Sequence, residues 1–244
     1  MGRKAAIVLV IWFVAVAGIV AAAYAPLSHW KSSIQRQLPR DVYLKDISGH
    51  WWRGNAQVEV HNLKGAVSVN WALGSLFEPF NWQVSHSKFR GFGQAQASLD
   101  TIKFWIEGFN LEADTFNGLM KRERIEVQGA PVMVERWYLE WSHAEQAFTQ
   151  FRGVANWSDG EIQYPVGRTL RSARFSDWQL LGRLDSGAPD LQLRSEANTN
   201  LAGVKLLPSN ELEVTVMPSM VEALGQRWNG SQDYPAFVMV QPIL

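Results

Sequence analysis

Short hydrophobic stretches with a period of two residues run through this chain from residue 41 onward. Val67, Val69 and Trp71 alternate with polar residues, and Ile102 and Phe104 alternate with them in the same way. Such alternation is typical of β-strands that bury one face only. A parallel α/β fold would need helices between the strands, and the sequence offers few. The pattern predicts a mainly β chain, with an antiparallel sheet that forms a sandwich, an open curved sheet or a partial barrel.

Breaks in the alternation predict where strands end or bend. A phase slip near Glu135–Arg136 is what a β-bulge produces. Serine, asparagine and glycine clusters predict turns at 158–160, 186–189 and 229–230. Helical spacing is confined to three short segments, at 27–38, 116–121 and 218–228.

The N-terminal part of the chain has a different character. Ala5 to Ala25 is a stretch of 21 residues without a charge, and Arg3 and Lys4 precede it. As a helix it would reach roughly 32 Å, enough to cross a bilayer core of about 30 Å. A cleaved signal peptide is the alternative, but the apolar run exceeds the ~7–15 residues of a signal core, and Pro26 follows the candidate cleavage site. We therefore expect an uncleaved single transmembrane anchor.

The anchor divides the chain into four parts. Residues 1–4 are predicted to be a cytoplasmic tail, 5–25 the anchor, 26–40 a membrane-proximal connector and 41–244 one β-rich domain. The basic residues before the apolar run favour a cytoplasmic N-terminus, and a large following domain is translocated largely regardless of its charge. The β-rich domain is therefore expected outside the cytoplasm.

Composition excludes several function classes. There are 23 basic and 23 acidic residues, so the net charge is zero and a dedicated nucleic-acid binder is not expected. The absence of cysteine rules out disulfides, thiolate metal sites and thiol nucleophiles. His50 and His61 are the one histidine pair that a hairpin would bring together, and we do not expect a metal there. The sequence contains no nucleophile motif or phosphate-binding loop, so no enzyme activity and no cofactor are predicted.

Twelve tryptophans must be accommodated. Most are expected to fill the core, where each ring buries roughly 150–250 Å². The adjacent pair Trp51-Trp52 is different, because neighbours in a strand point to opposite faces. Were the pair in a strand, both faces would be apolar, and membrane, a partner or another part of the chain would have to cover the second.

Three segments carry a resemblance to a known family. Ile47–Ala56, soon after the anchor, resembles the S-G-x-x-W-x-G-x-A signature of the type II secretion system protein N family (general secretion pathway protein N). Val69–Leu73 is similar to its W-x-L element, and Gly153–Trp157 to the G-x-x-x-W element of its second half. The residues that carry the match, and that are candidates for partner contact, are Ser48, Gly49, Trp51, Trp52, Gly54, Trp71, Gly153 and Trp157.

The resemblance implies a non-enzymatic accessory component of a type II secretion system in the inner membrane of a Gram-negative bacterium. Its cytoplasmic tail would be short and its β domain periplasmic. Its partners would be other inner-membrane platform proteins of the secretion system, together with membrane lipids. An open sheet edge is a site where such a protein docks a strand of its partner by β-augmentation.

A second function class also fits the sequence. A curved sheet with an apolar inner face, held next to a bilayer, would serve as a lipid-binding or lipid-handling module. Small inner residues that leave a groove would favour that function, whereas indole rings that fill the groove would oppose it. A periplasmic hydrolase is a third class, and it would require the scattered carboxylates to converge in one cleft.

Overall fold

The computed structural model describes residues 24–61, 63–75, 78–121, 124–209 and 211–242. The predicted cytoplasmic tail and nearly all of the predicted anchor lie outside these ranges, which include only its last two residues, Tyr24 and Ala25. Within them, no helix has the length and apolar character needed to cross a membrane.

The predicted β class is confirmed, because strands dominate the described part of the chain. All strand pairs are antiparallel, and each strand is joined to the next mainly by a short turn. The strands are Val42–His50 (β1), Arg53–Val60 (β2), Ala66–Leu73 (β3), Phe80–His86 (β4), Phe89–Ala97 (β5), Thr101–Leu111 (β6), Glu126–Gly129 (β7), Val132–Ser142 (β8), Ala147–Val166 (β9), Thr169–Asp185 (β10), Ala188–Ser195 (β11), Asn200–Leu206 (β12), Glu211–Val216 (β13) and Phe237–Pro242 (β14).

These strands form one open, curved sheet. Spatial order follows chain order from β1 to β6 and from β8 to β14, so the sheet is a meander. β7 is the exception, because it pairs with the second half of the long strand β9, while β8 pairs with the first half. β1 and β14 are the two ends of the order, and among the described residues no ladder joins these two strands.

Strand register sorts the side chains onto two different faces. Trp71 is opposite Trp82, and Phe104 is opposite Leu139, so apolar residues continue from strand to strand on what we call the apolar face. The intervening residues form the polar face. The alternation seen in the sequence is therefore the cause of a sheet that is amphipathic over most of its width. The buried apolar residues of the described chain are Leu44, Ile47, Ala56, Val67, Ala113, Val127, Phe151, Ala155, Trp178 and Leu201.

The helices are short and cover only parts of this sheet. Helix α1 is Lys31–Gln37 and follows a 3-10 turn at Leu27–Trp30; α2 is Asn117–Met120 and follows a 3-10 turn at Ala113–Phe116; α3 is Pro218–Ala223. They pack on β1, β7 and β12 respectively. All three helical predictions are confirmed, although α3 ends five residues early. Pro26 has an extended conformation, so the helical segment begins after it, at Leu27.

Three of the predicted irregularities have different outcomes. The bulge near Glu135–Arg136 is confirmed by a register shift between Val134 and Arg136. The turn predicted at residues 158–160 is wrong, because these residues lie inside β9. Asp159 has a φ of 52°, a local kink that strand pairing on both sides tolerates. The turn at Ser186-Gly187 is confirmed, with φ values of 53° and 81° that suit a two-residue hairpin.

Candidate functional site

The tryptophan pair of the family signature lies in a turn. β1 ends at His50 and β2 begins at Arg53, so Trp51 and Trp52 are the two residues of the β1–β2 hairpin turn. The premise that they point to opposite faces of a strand is therefore wrong. Trp51 is exposed, and Trp52 is half-buried.

The glycines of the signature let two backbones approach closely. Gly49 and Gly54 are opposite each other at the end of the hairpin, and Gly49 has a φ of 89°, which favours glycine. A Cβ atom on Gly49 would lie 2.6 Å from the Cα of Gly54. A Cβ atom on Gly54 would lie 2.6 Å from Cζ2 of Trp71 on the next strand. The three residues form what we call the first glycine seat.

Aromatic stacking and indole hydrogen bonds hold the turn above this seat. The rings of His50 and Trp52 stack with centroids 4.7 Å apart, and Tyr24 contacts Trp52 edge-on at 5.0 Å. The indole N–H of Trp71 donates to the carbonyl oxygens of His50 at 3.2 Å and Trp51 at 3.1 Å. The first glycine seat thus fixes the turn that presents Trp51 to its surroundings.

A second glycine seat lies in the other half of the sheet. Gly129 on β7 has a φ of 124° and is opposite Gly160 on β9, and a Cβ atom on Gly129 would lie 2.8 Å from the Cα of Gly160. The ring of Phe175 covers Gly160 from the next strand. The indole N–H of Trp157 donates to the carbonyl oxygen of Ala130, the residue after Gly129, at 2.9 Å. Both seats therefore consist of two opposed glycines under an aromatic ring, but in the second seat the covering ring and the indole donor are different residues.

The remaining signature residue, Gly153, is covered in the same manner. A Cβ atom there would lie 2.4 Å from Cγ of Trp137, its neighbour on β8. Gly153 and Trp157 are both on the apolar face of β9. The structure thus separates the signature into two groups: Ser48, Gly49, Trp51, Trp52, Gly54 and Trp71 lie together at the first hairpin, whereas Gly153 and Trp157 belong to the second half.

Each seat is preceded by a helix that binds the free edge of a strand, a feature that sequence analysis did not find. Gln35 of α1 donates to the carbonyl oxygen of Val42 at 3.0 Å and accepts from the N–H of Leu44 at 2.6 Å. Asn117 of α2 makes the same pair of bonds to one residue of β7, Val127, at 3.1 Å and 2.7 Å. We call these the amide clamps. An isolated glutamine or asparagine carries no sequence signal for such a role.

The opposite end of the sheet has a different edge. The side chains of Phe237, Val238, Met239 and Val240 in β14 are between 47% and 62% exposed. Val238 and Val240 are opposite Thr215 and Glu213, so they belong to the polar face, while Phe237 and Met239 belong to the apolar face. β14 is thus apolar on both faces, the property that had been assigned to Trp51-Trp52.

Ion pairs occupy the polar face of the second half. Arg174 contacts Glu161 at 2.8 Å, and Lys205 contacts Asp185 at 2.8 Å. Hydrogen bonds from these cations hold the pKa of Glu161 and the pKa of Asp185 below their usual ranges. Burial, together with a hydrogen bond to Glu140, raises the pKa of Tyr138 to about 12, so its hydroxyl is a donor at neutral pH.

The histidine pair weighed as a metal site does not come together. Register places His50 at the turn of the first hairpin, whereas His61 follows the other end of β2 and donates its backbone N–H to the carbonyl oxygen of Asp41. Among the described residues, no group of three or more His, Asp or Glu side chains is arranged to hold a metal ion.

Comparison with known proteins finds no match among protein-family models, curated proteins or solved structures. The resemblance to the type II secretion system protein N family therefore remains a prediction that rests on the quoted residues.

Proposed function

We propose that this chain is a single-pass inner-membrane accessory component of a type II secretion system, with its β domain in the periplasm. It acts by protein–protein contact and has no enzymatic activity. The observation that carries the proposal is the exposed apolar edge strand β14, which is the surface that a docking strand requires.

The contrast between strand edges supports a binding role for β14. Natural β-sheets protect their free edges with charged residues, prolines, bulges or covering elements. Here Gln35 and Asn117 clamp the free edges of β1 and β7. In β14 four consecutive apolar residues, from Phe237 to Val240, are exposed. A strand of a secretion-platform protein that pairs with β14 would cover these apolar side chains. It would also form hydrogen bonds with the backbone groups at the free edge of β14.

The partner strand is expected to be apolar on both faces. Val238 and Val240 would contact it on the polar side of the sheet, and Phe237 and Met239 on the apolar side. Each cross-strand pair of β-branched and aromatic residues stabilises strand pairing by roughly 0.2–1 kcal/mol. The side chains of a short apolar strand therefore add specificity to the affinity that its backbone hydrogen bonds provide.

The test is purification of the full-length protein from its native membrane in a mild detergent, followed by mass spectrometry of proteins and lipids. We expect near-stoichiometric recovery of secretion-platform subunits. The double variant Val238→Lys/Val240→Lys places charges on the edge while leaving the apolar face unchanged, and it should lose those subunits.

The matched control is Leu99→Lys. Leu99 is 96% exposed in the loop between β5 and β6, so its replacement adds a charge at an exposed apolar site far along the sheet from β14. Equal recovery of partners with all three proteins would contradict docking at β14. Recovery of no secretion subunit with the wild-type protein would contradict the secretion role.

A second function, a lipid-binding or lipid-handling module, is favoured by the apolar face. The helices of the described chain pack on β1, β7 and β12, and no second sheet layer covers the strands between them. Glycines opposite aromatic residues let rings such as Trp71 and Trp137 lie flat on the sheet. Flat rings keep the face shallow, so they line a trough for acyl chains instead of filling it.

The same purification tests this second function through its lipids. Enrichment of one lipid class over the bulk membrane, without a stoichiometric protein partner, would support lipid handling. Replacement of Ala95 by Trp, on the apolar face of β5 opposite Phe104, should then reduce the enrichment. Bulk lipid composition in the purified sample would oppose lipid handling.

A further inference from the structure

The polar face of the first five strands is built differently from the rest of that face. Register aligns Ser48, Asn55, Asn70, Gln83 and Phe92 in one row that crosses β1 to β5. Adjacent strands lie about 4.8 Å apart, so the row is roughly 19 Å long. Its members are a hydroxyl, three side-chain amides and one ring, and all of them are exposed.

A second row of side chains runs beside the first and contains a gap. Arg53, Ala72, Asn81 and Gln94 are opposite one another across β2 to β5. Asn81 accepts a hydrogen bond from Gln94 at 3.2 Å, whereas Ala72 has only a methyl group. The short side chain of Ala72 opens the surface, and a depression of about 830 Å³ lies over these strands.

The charge of this depression is balanced and low. Arg53 and Glu107 are its charged lining residues. The equivalent face of β9 to β12 carries ion pairs such as Arg183–Asp190, with a separation of 2.9 Å. The ion pair of β1 and β2, Lys45–Glu59, does not line the depression. Ion pairs of this kind are sufficient for a face that is only exposed to water. Amides in their place offer donors and acceptors together without a net charge.

We propose that this depression, which we call the amide groove, binds a neutral oligosaccharide. Sugar hydroxyls both donate and accept hydrogen bonds, as do the amides of Asn55, Asn70 and Gln83. Phe92 is 49% exposed at the end of the row and provides an apolar ring on which a sugar ring stacks. Arg53 and Glu107 add one donor group and one acceptor group at the rim.

Two other ligand classes fit the groove less well. A single-stranded nucleic acid needs a positively charged groove, and Arg53 is offset by Glu107. An extended peptide is recognised at a sheet edge through its backbone, whereas most of the amide groove lies over β2 to β5, whose backbones are already paired on both sides. A neutral oligosaccharide needs neither a charged groove nor a free strand edge.

The test is a calorimetric titration of the full-length protein, purified in a detergent without a sugar headgroup, with chitotetraose, cellotetraose and maltotetraose. Tetra-alanine is the peptide probe. We expect saturable binding of at least one tetrasaccharide. Asn70→Ala/Gln83→Ala removes two amides and Ala72→Arg fills the gap, so each should weaken that binding at least tenfold.

Gln179→Ala is the matched control, because Gln179 is an exposed amide on the polar face of β10, outside the groove. It should bind the sugar as the wild-type protein does, and equal thermal unfolding midpoints should show that all variants are folded. The proposal is overturned if no tetrasaccharide binds, if only tetra-alanine binds, or if sugar binding is the same in the groove variants and the wild type.

Discussion

The indole of Trp71 lies directly over the Cα of Gly54, its neighbour on the adjacent strand. A Cβ atom on Gly54 would lie 2.6 Å from this indole and 2.5 Å from the carbonyl oxygen of Ser48. The second of these contacts is with backbone, which cannot move away without disturbing the β1–β2 ladder. Glycine is therefore required at position 54, because the Trp71 indole and the Ser48 carbonyl oxygen leave no room for a Cβ atom.

We expect Gly54→Ala to destabilise the domain by about 1–3 kcal/mol, the usual cost of adding volume to a packed site. Denaturant unfolding of the purified protein measures this loss. Gly203→Ala is the control, because the nearest atom to its Cβ would be the Leu191 carbonyl oxygen at 3.5 Å, an ordinary contact. Equal stability of the two variants would contradict the close approach at Gly54.

Gln35→Ala tests the amide clamp on β1. The variant leaves the buried N–H of Leu44 without its acceptor, which should cost about 1–3 kcal/mol. Gln35→Glu keeps an acceptor but loses the donor to Val42, so its loss should be smaller. Gln37→Ala, at an exposed position of the same helix, should change stability by less than about 0.5 kcal/mol.

Hydrogen exchange provides a second measurement of the clamp. The backbone amide of Leu44 should exchange faster in Gln35→Ala than in the wild type, and unchanged protection would show that the clamp is dispensable. Asn117→Ala should have the same local effect on the amide of Val127, since Asn117 is its acceptor at 2.7 Å.

Two tryptophans should differ in their contribution to stability. Trp178 is 4% exposed and stacks on Phe175 with centroids 3.7 Å apart, so Trp178→Ala should cost about 3–5 kcal/mol. Trp52 is half-buried in a turn, so Trp52→Ala should cost roughly 1–2 kcal/mol. Thermal unfolding distinguishes them. A larger loss at Trp52 would show that the turn is part of a core.

The ion pairs of the polar face predict an acid-dependent loss of stability. The pKa of Glu161 is lowered by Arg174 and the pKa of Asp185 by Lys205, so both carboxylates favour the folded state above their unfolded pKa values of 4.5 and 3.8. That contribution is lost as the pH falls through the lower pKa values of the folded state. It is small, because both carboxylates lie at the surface.

The double variant Arg174→Gln/Lys205→Gln removes both cations, and urea unfolding at several pH values measures the effect. The variant should be less stable than the wild type at neutral pH, and the two should converge at about pH 2, where the carboxylates are protonated. A stability difference that is the same at both pH values would contradict the assigned cause.

Much of the fold is predictable because it depends on local periodicity. Alternation along each strand specifies the two faces, and the slip at Glu135–Arg136 marks a real bulge. The turn predicted at residues 158–160 is wrong for a physical reason. Asp159 and Gly160 have turn chemistry, but Gly129 and Phe175 on both sides keep them in a strand. Pairing between distant strands overrides a local turn preference there.

The candidate sites depend on long-range register, which composition does not reveal. Trp51-Trp52 looks like a doubly apolar strand, yet the glycines beside it place it in a hairpin turn. The amide groove requires Asn55, Asn70 and Gln83 to be aligned across three strands. In the sequence, each of these residues looks like any other solvent-facing polar residue of a strand, until the alignment is known.

Site-specific photo-crosslinking determines whether a secretion-platform protein docks at β14. A photoreactive amino acid at Val240, which is 47% exposed, would be introduced into the full-length protein and activated in intact cells. We expect a discrete crosslink to a secretion-platform protein, which Val238→Lys removes and which a photoreactive residue at Leu99 does not give. No crosslink from Val240, or the same products from Val240 and Leu99, would contradict docking at this edge.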